Sequence, residues 1–558
     1  MPKLPTASRR RFLSLLLSPM MLTSTGCSSL WKNADEAERE ARLAELMDVP
    51  EPPQWIGDAS APFGMRPLEV DGVGAVNQLP GTGGPADPSP YRESLIEEMK
   101  RHDVVDPNHF LESTETALVR VRATIPPGAQ RGDPLDLRVL APAESRASNL
   151  HHGWLLDTRL RQQQVIQNRV KQSDVLAIGV GPVLTRADYS AGDDSTMNLE
   201  GNVLSGGRVQ VSRKLGLVLK PEFQHAKTAN LLSDSINRRF FFFDGTTRRG
   251  ISKPLEDDYI EIDVHPRYRN NLQRMIQVVL SIRGDASSVD MQSQLAELSD
   301  QLREPARARD ASLKLEAIGE SAVPTLISAL DSDDEELRFY AAEALAYLDR
   351  TEAIEPLQRA ARDEPAFRYW ALLALEGLDD HQALESLQAL LQEPSLETRY
   401  GAFVATRRRP DSASVVVGDP VGPYFLYRVN SVAPPAVIVS LRESPEIVLM
   451  GATGSMQISS FLRAGGLMLT PSRTTTGAIR ISNYQAGKED QKIEVPSDLG
   501  SVIRGIAKTG GSYGDVITVL RMAKDKGFMS DQLAIDPYPK KVRTYYREEE
   551  AEYDQDDE

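Results

Sequence analysis

The sequence predicts an α+β multidomain protein in which β-rich regions are interrupted by an all-α repeat domain. Three observations predict it. Val119, Val121, Ala123 and Ile125 alternate with Arg120, Arg122 and Thr124, and Leu135, Leu137 and Val139 alternate with Asp136 and Arg138, the period of half-buried strands. Past about Val289 the period becomes helical and a motif recurs every 30–31 residues. After Arg409 the β texture returns with Ile447-Val448-Leu449-Met450. A chain of 558 residues with 41% apolar and 26% charged side chains has material for several cores.

The elements follow in order. Arg9, Arg10 and Arg11 precede an apolar run from Phe12 to Leu22, a basic segment followed by a hydrophobic one too short to span a membrane. Ser8-Arg9-Arg10-Arg11-Phe12-Leu13 has the form of a twin-arginine export signal, with Arg9 and Arg10 as the residues read. Ser24-Thr25-Gly26-Cys27 resembles a lipobox, although Ser24 stands where leucine is usual. Cys27 is the single cysteine of the chain, so no intrachain disulfide or thiolate cluster forms, and it is the expected lipidation site. Cleavage near Gly26 by an ordinary signal peptidase is the alternative. Residues 1–27 are therefore expected to be an export signal and 28–65 a tether, with a short helix at Asn33–Leu46 ended by Pro50, Pro52 and Pro53. Residues 66–290 form an α+β region that includes Leu215–Leu219, Ile260–Val264 and a helix from Ala226 to Arg238.

Residues 295–408 carry the repeat. Ala322-Val323…Leu326 recurs as Ala353-Ile354…Leu357 and Ala383-Leu384…Leu387; Arg338-Phe339-Tyr340-Ala341 recurs as Arg368-Tyr369-Trp370-Ala371 and Arg399-Tyr400-Gly401-Ala402. Each unit is a helix, a turn and a second helix that cannot bury its apolar face alone, so the units stack as a solenoid resembling short HEAT repeats. Phe339, Tyr369 and Tyr400 are expected in its core or inner groove. Residues 409–535 return to β structure and end in a helix whose start, Ser512 with Asp515, has capping-box spacing. Glu548–Glu558 holds eight acidic residues in eleven, and 536–558 is expected to be a solvated, disordered tail.

Catalytic motifs are lacking: there is no Gly-x-Ser-x-Gly, His-Glu-x-x-His or Walker loop. No catalytic, cofactor-binding or metal-ligating residue is therefore expected. Gly72-Val73-Gly74 and Gly81-Thr82-Gly83-Gly84 are expected to be tight turns. His151-His152 is expected on a surface loop, since neighbours on a strand point to opposite faces and would not share a metal. A net charge of −16 argues against nucleic acid as the partner.

With the repeat removed, the flanks resemble the flagellar P-ring protein family. The resemblance rests on an ordered series: Gly72 to Gly83; Ala117 to Val139 with Ile125-Pro126-Pro127-Gly128; Ala177 to Val183; Gly201 to Gly207; Leu217-Val218-Leu219 followed by Phe223, Ala226, Ala229 and Ser235-Ile236-Asn237; Ile447 to Met450 with Thr453-Gly454; and Asp515 to Lys524 with Gly527. It covers roughly 67–290 and 440–535. Pro80 and Gly84 depart from the family's glycine loop, and the repeat insert, the lipobox, the twin-arginine signal and the acidic tail lie outside its pattern. The resemblance implies a non-enzymatic periplasmic ring subunit around the flagellar rod, needing no cofactor. Its partners would be further copies of itself, rod proteins and L-ring proteins, in support of motility. The alternative is an envelope adaptor lipoprotein, held at the membrane by its lipid anchor, whose solenoid binds an unknown protein. A repeat inserted into such a fold is expected to be removable, from about Asp300 to Arg408, without unfolding the flanks.

Replacing Arg9 and Arg10 by lysine is expected to retain precursor in the cytoplasm, because the twin-arginine route reads the arginine pair itself. Cys27→Ala is expected to release a soluble periplasmic form, and N-terminal sequencing of the mature chain checks both.

Overall fold

The computed structural model describes residues 49–166, 169–192, 194–285, 290–412, 416–473, 475, 477–485, 489–542 and 544–545. Arg9, Arg10, Cys27, the helix expected at Asn33–Leu46 and the acidic run Glu548–Glu558 lie outside the described residues. All that follows concerns the compact unit Pro52–Glu558.

The alternating segments form strands with the expected faces. Along Pro134–Leu140 every second side chain is buried, and Ala117–Ile125 alternates from Val121 onward. With Leu68–Asn77, Trp154–Leu160, Ala177–Pro182 and Glu200–Val209 they form an antiparallel sheet. It closes on itself where Val203 pairs with Leu137. Closure removes the sheet's edges and gives a barrel packed with Val70, Val121, Leu137, Val139, Leu155, Leu160 and Val203. Gly72 and Gly74 are not in a turn but in the middle of Leu68–Asn77. A Cβ on Gly72 would run into the Arg159 carbonyl oxygen, and one on Gly74 into the Thr158 hydroxyl; glycine here permits close strand approach. Gly81, at φ +79°, does sit in a turn.

Beside the barrel, Ser60–Phe63, Leu215–Leu219, Tyr259–Ile262 and Ser252–Pro254 form a second antiparallel sheet. Helices Ala226–Arg239 and Leu272–Leu280 bury their apolar faces in the same core. The expected tether therefore ends earlier than residue 65. Ile56 and Ala59 are fully buried, and Ser60–Phe63 is an edge strand on Leu215–Leu219. A helix of four residues followed by a strand of four has too little length to display a period.

The repeat folds as helix pairs, Val323–Ala329 with Glu335–Tyr347, Ile354–Asp363 with Arg368–Gly377, and His381–Leu390 with Leu396–Arg408, preceded by Met291–Leu302 and Pro305–Ile318. Leu326, Leu357 and Leu387 occupy equivalent buried positions, as do Ala344, Ala374 and Ala405, and Phe339, Tyr369 and Tyr400 are buried as their spacing predicts. The C-terminal region is a five-stranded mixed sheet with spatial order Gly418–Val421, Tyr424–Val429, Glu446–Met450, Ala436–Val439 and Gln532–Ile535. A four-stranded antiparallel sheet over 462–496 and helices Leu499–Lys508 and Tyr513–Asp525 complete it.

The solenoid is not a separable insert. One continuous apolar cluster includes Leu217, Tyr268 and Met275 before it, Leu315, Tyr347 and Leu375 within it, and Val429, Ile438 and Met450 after it. Removing 300–408 would open that cluster to water, so the second sheet and the C-terminal sheet that share it are not expected to survive the excision. The end of the chain is likewise fixed further than expected. Arg442 donates to both oxygens of Asp536 at 2.8 and 2.6 Å. Tyr538 packs edge-on against Tyr369 and Tyr400 at 6.0 and 6.2 Å, and Tyr545 lies 4.7 Å from Phe367. Tyr538 and Tyr545 are thus laid on the solenoid, and the tail expected from residue 536 does not begin there.

The first contact between the N-terminal region and the solenoid is ionic and fully buried. Arg274 donates through Nε and Nη2 to Glu316 Oε2 at 2.9 and 2.6 Å and pairs through Nη1 with Glu343. Tyr268 donates to Glu316 Oε1 at 2.6 Å, and Asn271 to the Tyr347 hydroxyl at 2.9 Å. Burial disfavours the Arg274 charge, but the two carboxylates outweigh it and hold the guanidinium protonated. Arg274→Ala would strand two buried carboxylates, and removing one partner of such a set costs about 3–5 kcal/mol. The expected outcome is a large fall in thermal midpoint with early loss of solenoid helicity, measured by far-UV circular dichroism.

Candidate functional site

Among the described residues one cluster brings ligand-type side chains together: His151, His152 and Asp515, whose ligand atoms all lie within 4.8 Å of one another. The two histidines sit in the turn that enters the barrel strand Trp154–Leu160. Asn149 Oδ1 accepts from the His151 amide at 2.8 Å, and Gly153 donates to the Leu150 carbonyl at 3.0 Å. His152 has φ +65°, a left-handed conformation uncommon for a residue with a Cβ. The histidines lie in a turn as expected, but the turn is largely covered and its left-handed residue brings the two rings together. The strand rule of opposite faces does not apply across a left-handed residue, and the rings lie 4.1 Å apart at 66°. Both are largely covered, with side-chain exposures of 19% and 24%.

Two carboxylates converge on the pair from different parts of the chain, and each uses one oxygen to cap its own helix. Asp188 Oδ2 accepts from the Thr185 amide at 2.9 Å and hydroxyl at 2.8 Å, at the start of helix Arg186–Tyr189. Asp515 Oδ2 accepts from the Ser512 amide at 2.7 Å and hydroxyl at 2.8 Å, closing the capping box of Tyr513–Asp525. The other oxygens point at the histidines. Asp188 Oδ1 is 2.8 Å from His151 Nδ1; Asp515 Oδ1 is 3.1 Å from His151 Nε2 and 3.5 Å from His152 Nε2. Burial alone would lower the His151 pKa, but the hydrogen bonds and charges of Asp188 and Asp515 outweigh it and bring it to about 10. Burial pushes the Asp515 carboxyl up, and the His151 hydrogen bond with the two imidazoles more than reverses this, leaving it below its ordinary value. Capping spacing made Ser512 and Asp515 legible in sequence; the partner 364 residues away had no signal.

The cluster lies in the joint between the barrel and the C-terminal region. Arg521 Nη1 donates to the carbonyls of Ala187 and Asp188, both at 2.9 Å. Leu184 and Leu204 of the barrel join the apolar cluster of Val516 and Leu520. Asp136 accepts from the amides of Ser205 and Glu443 at 2.8 Å each. Elsewhere, a cavity of about 500 Å³ between the end of helix Ala226–Arg239 and the solenoid is lined by Trp55, Arg238, Arg239, Arg267 and Gln294. A groove of about 480 Å³ runs between the barrel and helix Pro90–Arg101, where Glu98 pairs with Arg159 and Arg161 at 3.4 and 3.7 Å.

The barrel and the second sheet fall within a segment that matches a known family model. Residues 56–291 match the model of the flagellar P-ring protein, and residues 323–406 match that of HEAT repeats. The curated flagellar P-ring protein of Methylobacillus flagellatus is 25% identical over 231 residues, 40% of this chain and 59% of that one. That of Alteromonas mediterranea is 30% identical over 198 residues, 33% of this chain and 50% of that one. Flagellar P-ring protein 2 of Chromobacterium violaceum is 30% identical over 228 residues, 38% and 58% respectively. This chain therefore spans between half and three fifths of the length of these relatives. Among solved structures, the complex of CpcE and CpcF of phycocyanin lyase from Nostoc sp. PCC7120 is similar at 27% identity and a TM-score of 0.18, over 21% of this chain and 78% of that one.

The joint tolerates little added volume. A Cβ on Gly514 would stand 2.6 Å from Asp188 Oδ2, an oxygen already held by Thr185. Overpacking of this kind costs about 1–3 kcal/mol, so Gly514→Ala is expected to lower the thermal midpoint and to raise proteolysis between the barrel and the C-terminal region, read by limited trypsin digestion.

Proposed function

We propose that this chain is a non-enzymatic structural subunit of an assembly of the flagellar P-ring kind. In this reading it is exported to the periplasm, held at a membrane through lipidated Cys27, and repeated as copies of itself around the flagellar rod beside L-ring proteins. The observation that carries the reading is the match over residues 56–291, which takes in both the closed barrel and the sheet beside it. A closed ring repeats one heterologous contact, so each subunit needs two different complementary patches, and such patches rest on a few apolar or aromatic anchors. Phe243, Phe461 and Val432 are large apolar side chains left exposed by the fold, at 65%, 54% and 91%. They lie on the ribbon 241–250, beside the C-terminal four-stranded sheet and in the loop before Ala436–Val439.

The adaptor reading needs a free binding face on the solenoid. Against it stand Tyr538 and Tyr545, which cover Tyr369, Tyr400 and Phe367 with the chain's own end. The test is purification of the full chain from membranes, then sizing and negative-stain imaging. Rings or arcs are expected, and Phe243→Asp or Phe461→Asp is expected to abolish them at an unchanged monomer midpoint. A strictly monomeric chain that captures a partner through residues 295–408 would support the adaptor instead.

A further inference from the structure

Three features of the joint go beyond what holding two regions together requires. A single buried salt bridge would need one histidine, yet two are present. The second is brought beside the first by a left-handed backbone, and sparsely populated conformations of this kind persist where the surrounding structure demands them, often at functional sites. Both Nε2 atoms converge on one oxygen, Asp515 Oδ1, at 3.1 and 3.5 Å. In a tetrahedral zinc site with bonds of about 2.0–2.1 Å, neighbouring ligand atoms stand roughly 3.3 Å apart; the two separations to Asp515 Oδ1 bracket that value, and the three ligand atoms all lie within 4.8 Å of one another.

We propose that His151 Nε2, His152 Nε2 and Asp515 Oδ1 bind a divalent transition-metal ion of the zinc class, with Asp188 as the positioning residue for His151. Imidazole suits zinc and its neighbours better than magnesium or calcium, which prefer oxygen ligands. Asp188 Oδ1 accepts from His151 Nδ1–H at 2.8 Å, which aims Nε2 at Asp515 Oδ1 and leaves its lone pair for the ion once the Nε2 proton is displaced. This is the carboxylate–histidine–metal arrangement that fixes the ring and raises its basicity as a ligand. Binding displaces the Nε2 proton of His151, after which the carboxylates of Asp188 and Asp515 match one divalent ion between neutral imidazoles. Three protein ligands leave a fourth position for water. The ligands come from the barrel turn and from the C-terminal helix, 364 residues apart. The ion would therefore act as a staple closing the joint, its binding energy contributing directly to the stability of the fold.

The experiment uses the full mature chain, stripped with EDTA, dialysed, and titrated with Zn²⁺ alone by calorimetry, with metal content read by elemental analysis. A parallel titration with Co²⁺ reads ligand-field absorption. One zinc per chain is expected, with a thermal midpoint that rises on adding Zn²⁺ and falls back with EDTA. His152→Gln keeps a donor facing Asp515 Oδ1, so the apo fold is retained while the zinc-dependent rise and the cobalt band are lost. Asp188→Asn keeps all three ligands and is expected to weaken zinc by about 10–100-fold, the usual effect of losing such a partner. Absence of zinc uptake by the unsubstituted chain overturns the proposal. So does equal uptake by His152→Gln; the cluster is then an ion-paired joint only.

Discussion

The structure depends on Arg274 keeping its charge in an interior that excludes water. Its guanidinium lies between Glu316 and Glu343 from two solenoid helices, with Tyr268 closing the remaining oxygen. A lone ion there would be prohibitively costly, and a paired one is tolerable only in good geometry. That requirement fixes helix Leu272–Leu280 against the start of the solenoid. Tyr268 stacks on Tyr347 at 4.6 Å in the same contact. Once this end is set, the stacked helix pairs carry the chain to the other end, where Tyr400 donates to Glu446 at 3.2 Å and Arg399 to the Pro434 carbonyl at 2.9 Å. The C-terminal sheet is thereby placed by the solenoid as much as by its own strands.

A second set of contacts closes the circuit by joining the C-terminal helix back to the barrel. The Asp188–His151–Asp515 group, Arg521 and the apolar pegs Leu184 and Leu204 act together there. The unit from Pro52 onward is thus a circuit of three packed parts and not a fold with an appendage. The solenoid is a packed part of the same core as its flanking sheets.

The resemblance to flagellar P-ring proteins is concentrated in residues 56–291, where the barrel forms a core of its own. That core needs nothing from the solenoid, which is consistent with a barrel-bearing region shared with relatives that match only part of this chain. The sheet beside it is different: Leu217, Ile260 and Met275 belong to the cluster that continues into the solenoid.

The sequence by itself determined the elements whose signals are local. Alternation placed Ala117–Ile125 and Pro134–Leu140, the recurrence of Leu326, Leu357 and Leu387 placed the helix pairs, and Ser512 with Asp515 marked the start of the last helix. Only the tertiary structure decided what those faces bury. Ile56 and Ser60–Phe63 enter the fold, Gly72 and Gly74 serve a strand instead of a turn, Tyr538 covers the solenoid, and His151 and His152 converge on Asp515. The reason is that periodicity and capping act within one or two turns of chain and report which side of an element is apolar. The partner across the contact is chosen by packing between segments hundreds of residues apart, where no local pattern carries information.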